Sequence, residues 1–140
     1  MTVRTLLDTG PLVAFLNRRD RYHAWALAQL AELPAPLLTC EAVLSEACLL
    51  LRHLPGGGRA AIELVTRGVL KIGFRLEEDA ASVGRLLGRY ASVPMSLADA
   101  CLVRMVEKDP GSRLLTLDRD FRVYRAHGRQ VIPLTIPSDR

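Results

Sequence analysis

Aromatic residues make up only 5% of the 140-residue sequence, so aliphatic side chains and alanine must supply the core. Cysteine is scarcer still. Cys40, Cys48 and Cys101 are odd in number, lie scattered in apolar surroundings and show no C-x-x-C spacing. That argues against a disulfide framework and against a zinc site, and the three read as small core residues in a reducing compartment. No apolar run reaches the roughly 18–20 residues of a membrane span. The first residues lack the charged-then-apolar layout of a secretory signal. A cytoplasmic protein with no membrane partner is therefore expected. Repeats, low-complexity tracts and interdomain linkers are also missing. Residues 1–140 read as one domain, long enough to bury a core without disulfides or structural metals.

What is present has the balance of an ordinary globular protein, 49% apolar and 24% charged. The net charge is +4, and all but two of the nineteen basic residues are arginine. Arginine's planar fork pairs well with phosphate, so the charge permits an anionic partner such as nucleic acid without establishing one.

Short apolar runs alternate with helical patterns along the chain. Strands are predicted at residues 3–8, 36–40, 69–74 and 113–118, with a short fifth at 130–134. Pro11 suits the first turn of a helix. Further helices are predicted at residues 23–33, with Leu27, Leu30 and Ala31 on one face, from about 40 to 54, and at 59–67. Two more cover 78–90, with Val83, Leu86, Leu87 and Tyr90 inward, and 96–107. Such βαβ alternation implies a three-layer α/β/α domain around a mostly parallel sheet of four to five strands.

That fold bears on "LLDTGPLVAF" at residues 6–15. Asp8-Thr9-Gly10 resembles the catalytic loop of aspartic proteases, but those enzymes are almost entirely β and need two such loops. "KIGF" at 71–74 could pass for their supporting hydrophobic-Gly element, yet its surroundings are wrong. In a parallel sheet, ligands bind beyond the carboxyl ends of the strands. Asp8 ends the first predicted strand and Asp118 the fourth, so both fall at that edge, where capping of the following turn is the competing role.

Two further acids lie where a core is expected. Glu46 sits in "CEAVLSEACLLL", flanked on its helical face by Ala42, Val43, Leu49 and Leu50. An unpaired buried charge is costly, so Glu46 either pairs with an arginine or faces a cleft. Glu41 is expected to begin the helix and face solvent. Asp99 lies in "MSLADACLVRMV" near Met95, Leu102 and Val103, and Ser96-x-x-Asp99 has capping-box spacing. Capping still leaves a first-turn aspartate free to point into a cleft.

Four acids thus approach one region. Two unit charges about 4 Å apart repel by about 4 kcal/mol at an effective dielectric of 20. Either their pKa values rise or a cation sits among them. An all-oxygen donor set favours Mg²⁺ or Mn²⁺ over zinc.

Read together, "LLDTGPLVAFLNRRDRYH", "LLTCEAVLSEACLLL", "MSLADACLV" and "LLTLDRDF" resemble the PIN-domain nucleases. Among these, the sequence is similar to the compact toxins of bacterial VapBC-type toxin–antitoxin modules. The likeness spans essentially the whole chain. It implies a Mg²⁺- or Mn²⁺-dependent endoribonuclease acting on RNA, a homodimer, and inhibition by a cognate antitoxin protein. By the same resemblance Asp8 and Asp99 hold the principal metal, and Glu46 and Asp118 complete the acidic cage. Thr9, Ser96 and Thr116 fall where the family tends to have small polar supports. Asp120 matches an additional acid of some members. The alternative is a catalytically silent PIN-like module that binds RNA or protein.

Other signals are weaker. His23, His53 and His127 lack any nucleophile motif and read as surface or helix-end residues. "PGGGR" at 55–59 lacks the G-K-[ST] of a P-loop and reads as a turn. "LDRDF" resembles the D-x-D of haloacid-dehalogenase phosphatases, but follows the fourth strand where theirs follows the first. In "RDFRVYRAHGR", Arg119, Arg122, Arg125 and Arg129 lie near the acidic edge. They either engage an RNA backbone or form the solvated face of a short helix.

Overall fold

The computed structural model describes residues 3–140. Five short strands form one all-parallel sheet: β1 (Thr5–Leu7), β2 (Leu37–Thr39), β3 (Leu70–Ile72), β4 (Arg113–Leu115) and β7 (Leu134–Thr135), in the order β3-β2-β1-β4-β7. β1 is central and buried along its whole length. It pairs Leu6 with Leu38 on one side and Leu6 with Leu114 on the other. A strand shielded on both faces reads as continuous aliphatic sequence rather than as alternation, which explains why the strands appear as unbroken runs such as "TLL" and "RLL".

Six helices connect and cover the strands: α1 (Thr9–Leu16), α2 (His23–Glu32), α3 (Glu41–Leu50), α4 (Gly57–Thr66), α5 (Leu76–Arg89) and α6 (Leu97–Lys108). This is the three-layer α/β/α arrangement expected from the sequence. In α6, residues 98–103 are all buried, as are Met105 and Val106. The buried stretch 98–103 places the first turns of α6 inside the fold, while Arg104, Glu107 and Lys108 reach outward, and α6 packs against α3, α5 and β4.

The sheet has a switch point. From β1 the chain steps outward to β2 and β3, then crosses back to β4 on the other side of β1. Open parallel sheets bind ligands where their winding reverses, beyond the carboxyl ends of the strands. Here that place lies just after β1 and β4.

Three expectations need correction. Residues 130–134 do not form one strand. Gln130–Val131 (β6) pairs antiparallel with Arg125–Ala126 (β5) in a small hairpin, and the fifth strand of the main sheet is Leu134–Thr135. Pro133 separates them because it has no N–H for a ladder, although its carbonyl accepts from Leu114 N–H at 2.9 Å. On α2, Leu27 is 49% exposed and Ala31 is exposed, while Ala26 is buried; the inward face therefore runs through Ala26 and the half-buried Leu30. Lastly, α3 stops at Leu50 rather than 54, and Gly57–Gly58 already belong to α4.

Candidate active site

A pocket of about 250 Å³ opens at the switch point, and Asp8, Glu46, Asp99 and Asp118 all line it. Each comes from a different element, and each is positioned by its local sequence. Asp8 follows β1 and N-caps α1, its Oδ1 accepting from Thr9 N–H at 2.8 Å. Its Oδ2 accepts from the Thr116 hydroxyl at 2.7 Å. Glu46 lies on α3, with Oε2 bound by the Thr9 hydroxyl at 2.9 Å. Asp99 occupies the third position of α6 in a full capping box with Ser96, and Tyr124 donates its hydroxyl to Oδ2 at 3.1 Å.

Asp118 was expected at the end of the fourth strand. It lies three residues past β4, where it N-caps a 3₁₀ turn at Arg119–Arg122 and accepts from Asp120 N–H. Thr116 sits closer to the strand end, where its hydroxyl accepts from Asp118 N–H at 2.9 Å while donating to Asp8. One hydroxyl therefore couples the two acids. Thr9 links Asp8 and Glu46 in another way, its backbone N–H donating to Asp8 and its hydroxyl to Glu46 on α3. Gly10 keeps this corner tight, since a Cβ there would come within 3.1 Å of Leu117 in the loop that carries Asp118.

Capping and presentation coexist at this site. Asp99 Oδ1, Glu46 Oε1 and Asp118 Oδ2 accept no hydrogen bond from any described residue. None of the four acids forms an ion pair among the described residues. Burial, the largest influence, pushes the Asp8 carboxyl up to about 7 against the opposing hydrogen bonds from Thr116 and Thr9, with Asp99 and Asp118 adding repulsion. Burial likewise raises Asp99, again with a contribution from Asp118. The buried Tyr124 hydroxyl is held protonated, chiefly by desolvation and then by the charge of Asp99, so it is a fixed donor.

Uncompensated carboxylates that share a pocket fit a hard cation. Among the described residues no three His, Cys, Asp or Glu side chains converge into a ready-made ligand cluster. A cation that keeps several waters and takes only one or two carboxylates directly suits this open spacing; a fully protein-caged ion does not. A larger cavity of about 450 Å³ lies at the N-terminal ends of β1 and β2, among Arg4, Pro34, Pro36 and Lys71, and no carboxylate lines it.

The pocket also has residues that the sequence did not single out. Arg140 lines it, with Nε donating to Leu117 O at 2.8 Å. Neighbouring Asp139 is held by Arg21 and Tyr22. Tyr124 is buried between Phe121 and Tyr90, ring centroids 5.2 and 5.0 Å away. Their only sequence signal was the aromatic spacing in "DFRVY", which is too short to show where the hydroxyl goes. Of the basic segment, Arg119, Arg122 and Arg129 are exposed. Arg125 instead turns its guanidinium onto the carbonyls of Arg122, Val123 and Tyr124.

The chain matches no curated protein in sequence. In structure it is similar to VapC20 of Mycobacterium tuberculosis, described as a sarcin–ricin loop cleaving toxin. The two share 23% identity and a TM-score of 0.76, over 92% of this chain and 99% of that one. The sequence pattern of the PIN domain matches residues 5–126, from the first residue of β1 to the end of β5. The four acids lie within that span, and the chain belongs to the PIN-domain family.

Proposed function

We propose that the protein is a metal-dependent endoribonuclease that hydrolyses RNA phosphodiester bonds, and that it is the toxin of a VapBC-type toxin–antitoxin pair. The observation that carries this reading is the meeting of four carboxylates in one pocket, none of them in an ion pair among the described residues, although Arg140, bound to Leu117 O, also lines it. Asp8 and Asp99 would hold the principal Mg²⁺ or Mn²⁺, with Glu46 and Asp118 completing the cage directly or through water. When bound, the cation activates water and offsets charge on the phosphoryl oxygens. The chain's own contribution is orientation. Thr116 and Thr9 N–H fix both oxygens of Asp8, Thr9 fixes one oxygen of Glu46, and Tyr124 with Ser96 fixes Oδ2 of Asp99. Water adds to phosphorus and the P–O3′ bond breaks, leaving a 5′-phosphate and a 3′-hydroxyl. Asp120 supports Asp118 through its backbone N–H; the exposed Arg119 and Arg122 would meet the RNA backbone, and Arg125 would have to release the carbonyls it now holds to join them.

The similar VapC20 is a sarcin–ricin loop cleaving toxin, so a hairpin of that loop is the first substrate to test. Likeness to this family supports homodimerisation and inhibition by a cognate antitoxin as part of the proposal. Exposed Leu49 and Leu50 on α3, the latter lining the pocket, offer apolar surface to such a protein. An RNA target and an antitoxin together imply a cytoplasmic location. Among the described residues no helix is long and apolar enough to cross a membrane.

The test is thermal melting with and without Mn²⁺ or Mg²⁺. A true cage gains several degrees from binding linkage, and Asp99→Asn loses most of that gain. An equal response in wild type and variant would detach the metal from this site. No response in either would favour a PIN-like module that binds RNA or protein without cutting.

A further inference from the structure

A second pocket, of about 260 Å³, lies between α5, α6 and the β5–β6 hairpin. Arg85 and Arg89 project into it from α5, and Ser82 joins them one turn earlier. Arg104 of α6 and His127 at the hairpin tip close the other side. The one carboxylate there is already engaged: Glu107 Oε1 pairs with Arg104 at 3.3 Å, and Oε2 accepts from His127 N–H at 2.7 Å. Arg104 is also bound to Asp79 at 2.9 Å. Arg85 and Arg89 form no ion pair among the described residues. Each makes a single hydrogen bond, Arg85 to Ser82 Oγ at 3.1 Å and Arg89 to Gly128 O at 3.2 Å, so most of their N–H donors stay open.

The hairpin tip is shaped for this pocket. His127 holds φ 53, the only positive φ at a non-glycine among the described residues. It is kept there by its N–H and ring bonds to Glu107. Gly128 follows at φ 79, and a Cβ there would lie 2.6 Å from Arg89 Nη1. The flexible end of Arg89 could shift to admit a side chain, so it is the backbone φ of 79 that favours glycine here. Positive φ at both residues is the geometry of a tight hairpin turn, closed here by Arg129 N–H to Ala126 O at 3.2 Å. The pocket also connects to the acids. Arg89 lies over the Tyr90 ring at 5.9 Å, Tyr90 meets Tyr124 edge-on, and Tyr124 donates to Asp99. Arg104 is five residues beyond Asp99 on α6, about 7.5 Å along the axis at about 1.5 Å per residue.

We propose that Arg85 and Arg89, backed by Ser82 and the His127–Gly128 tip, form a phosphate-binding subsite for the RNA backbone outside the acidic pocket. Two unpaired guanidinium forks converging on one cavity match phosphate oxygens better than they match solvent. The subsite rests on the RNA reading above, and it would hold a phosphate neighbouring the one at the acids.

The test measures affinity of the Asp8→Asn protein for a fluorescein-labelled single-stranded RNA, in EDTA, across a KCl series. Adding Arg85→Gln with Arg89→Gln should weaken binding roughly tenfold and flatten the salt dependence by about 0.7, the contribution of the one single-strand phosphate the subsite holds. Both arginines are exposed, so the melting temperature should hold. Arg59→Gln on α4 with Arg67→Gln at its C-cap removes the same charge and should leave the slope unchanged. An unaltered slope in the α5 pair, an equal loss in the α4 pair, or no RNA binding at all would overturn the subsite. Arginine-dependent binding, with wild-type protein that cuts no RNA in Mg²⁺ or Mn²⁺, would sink the nuclease reading instead and keep the subsite.

Discussion

Asp8 is buried, has no cationic partner among the described residues and still accepts two hydrogen bonds. Burial dominates, and its carboxyl rises from 3.8 to about 7. Between those values the folded protein keeps a proton that the unfolded chain has released. Stability from this group is therefore greatest below pH 3.8, declines as pH rises to about 7, and is flat beyond. Asp79 has the opposite sign. Lys108 and Arg104 hold it below the usual carboxylate range at 2.7 and 2.9 Å, so its contribution is present above about pH 3.8 and fades in acid. Asp8→Asn cannot ionise. Without metal at pH 8 it should be more stable than wild type by about 2 kcal/mol, the relief of buried charge less one charge-assisted hydrogen bond. Urea melts between pH 4 and 8 should show the wild-type decline flattened in the variant; parallel curves would contradict the assignment.

At the scale of elements, the α5–α6 pair carries the most. α6 brings Asp99 to the pocket by its N-terminal box, and α5 is fastened to its later turns through Asp79, a non-helical residue (φ −114) inside α5. Removing one partner from a buried ion pair costs about 3–5 kcal/mol; here Lys108 and Arg104 are partly exposed, which reduces that to about 2 kcal/mol. Asp79→Ala should accordingly lower the urea midpoint with little change in slope, and an unchanged midpoint would show that the clamp is idle. Of the elements, the helices were legible because caps and apolar spacing agree, as at Ser96 and Asp99. The strand ends were less so. "QVIPL" reads as one apolar run, and only the docking of Leu134 beside Leu114 separates the hairpin from the sheet. Asp79 could not be picked out from Glu77 and Glu78 before it, because its burial is set by α6, some twenty-five residues on.

For the whole molecule, the decisive feature is the reversal of winding at β1, which brings the ends of β1 and β4 together and lets α3 and α6 meet over them. The four acids could be read from the sequence because a carboxylate on an apolar helix face or at a strand end conflicts with its local pattern. Arg140, Tyr124 and the arginine pocket conflict with nothing local. They become functional candidates only through contacts across the fold, such as Arg140 with Leu117. The acidic pocket is proposed to cut RNA with a divalent cation. Its most direct test is cleavage of a sarcin–ricin hairpin and of total RNA by the purified protein in Mg²⁺, in Mn²⁺ and in EDTA, beside Asp8→Asn prepared identically. Metal-requiring cleavage that leaves 5′-phosphate ends and disappears in the variant is the predicted result. Cleavage that persists in the variant or in EDTA, or none with any RNA, would contradict it.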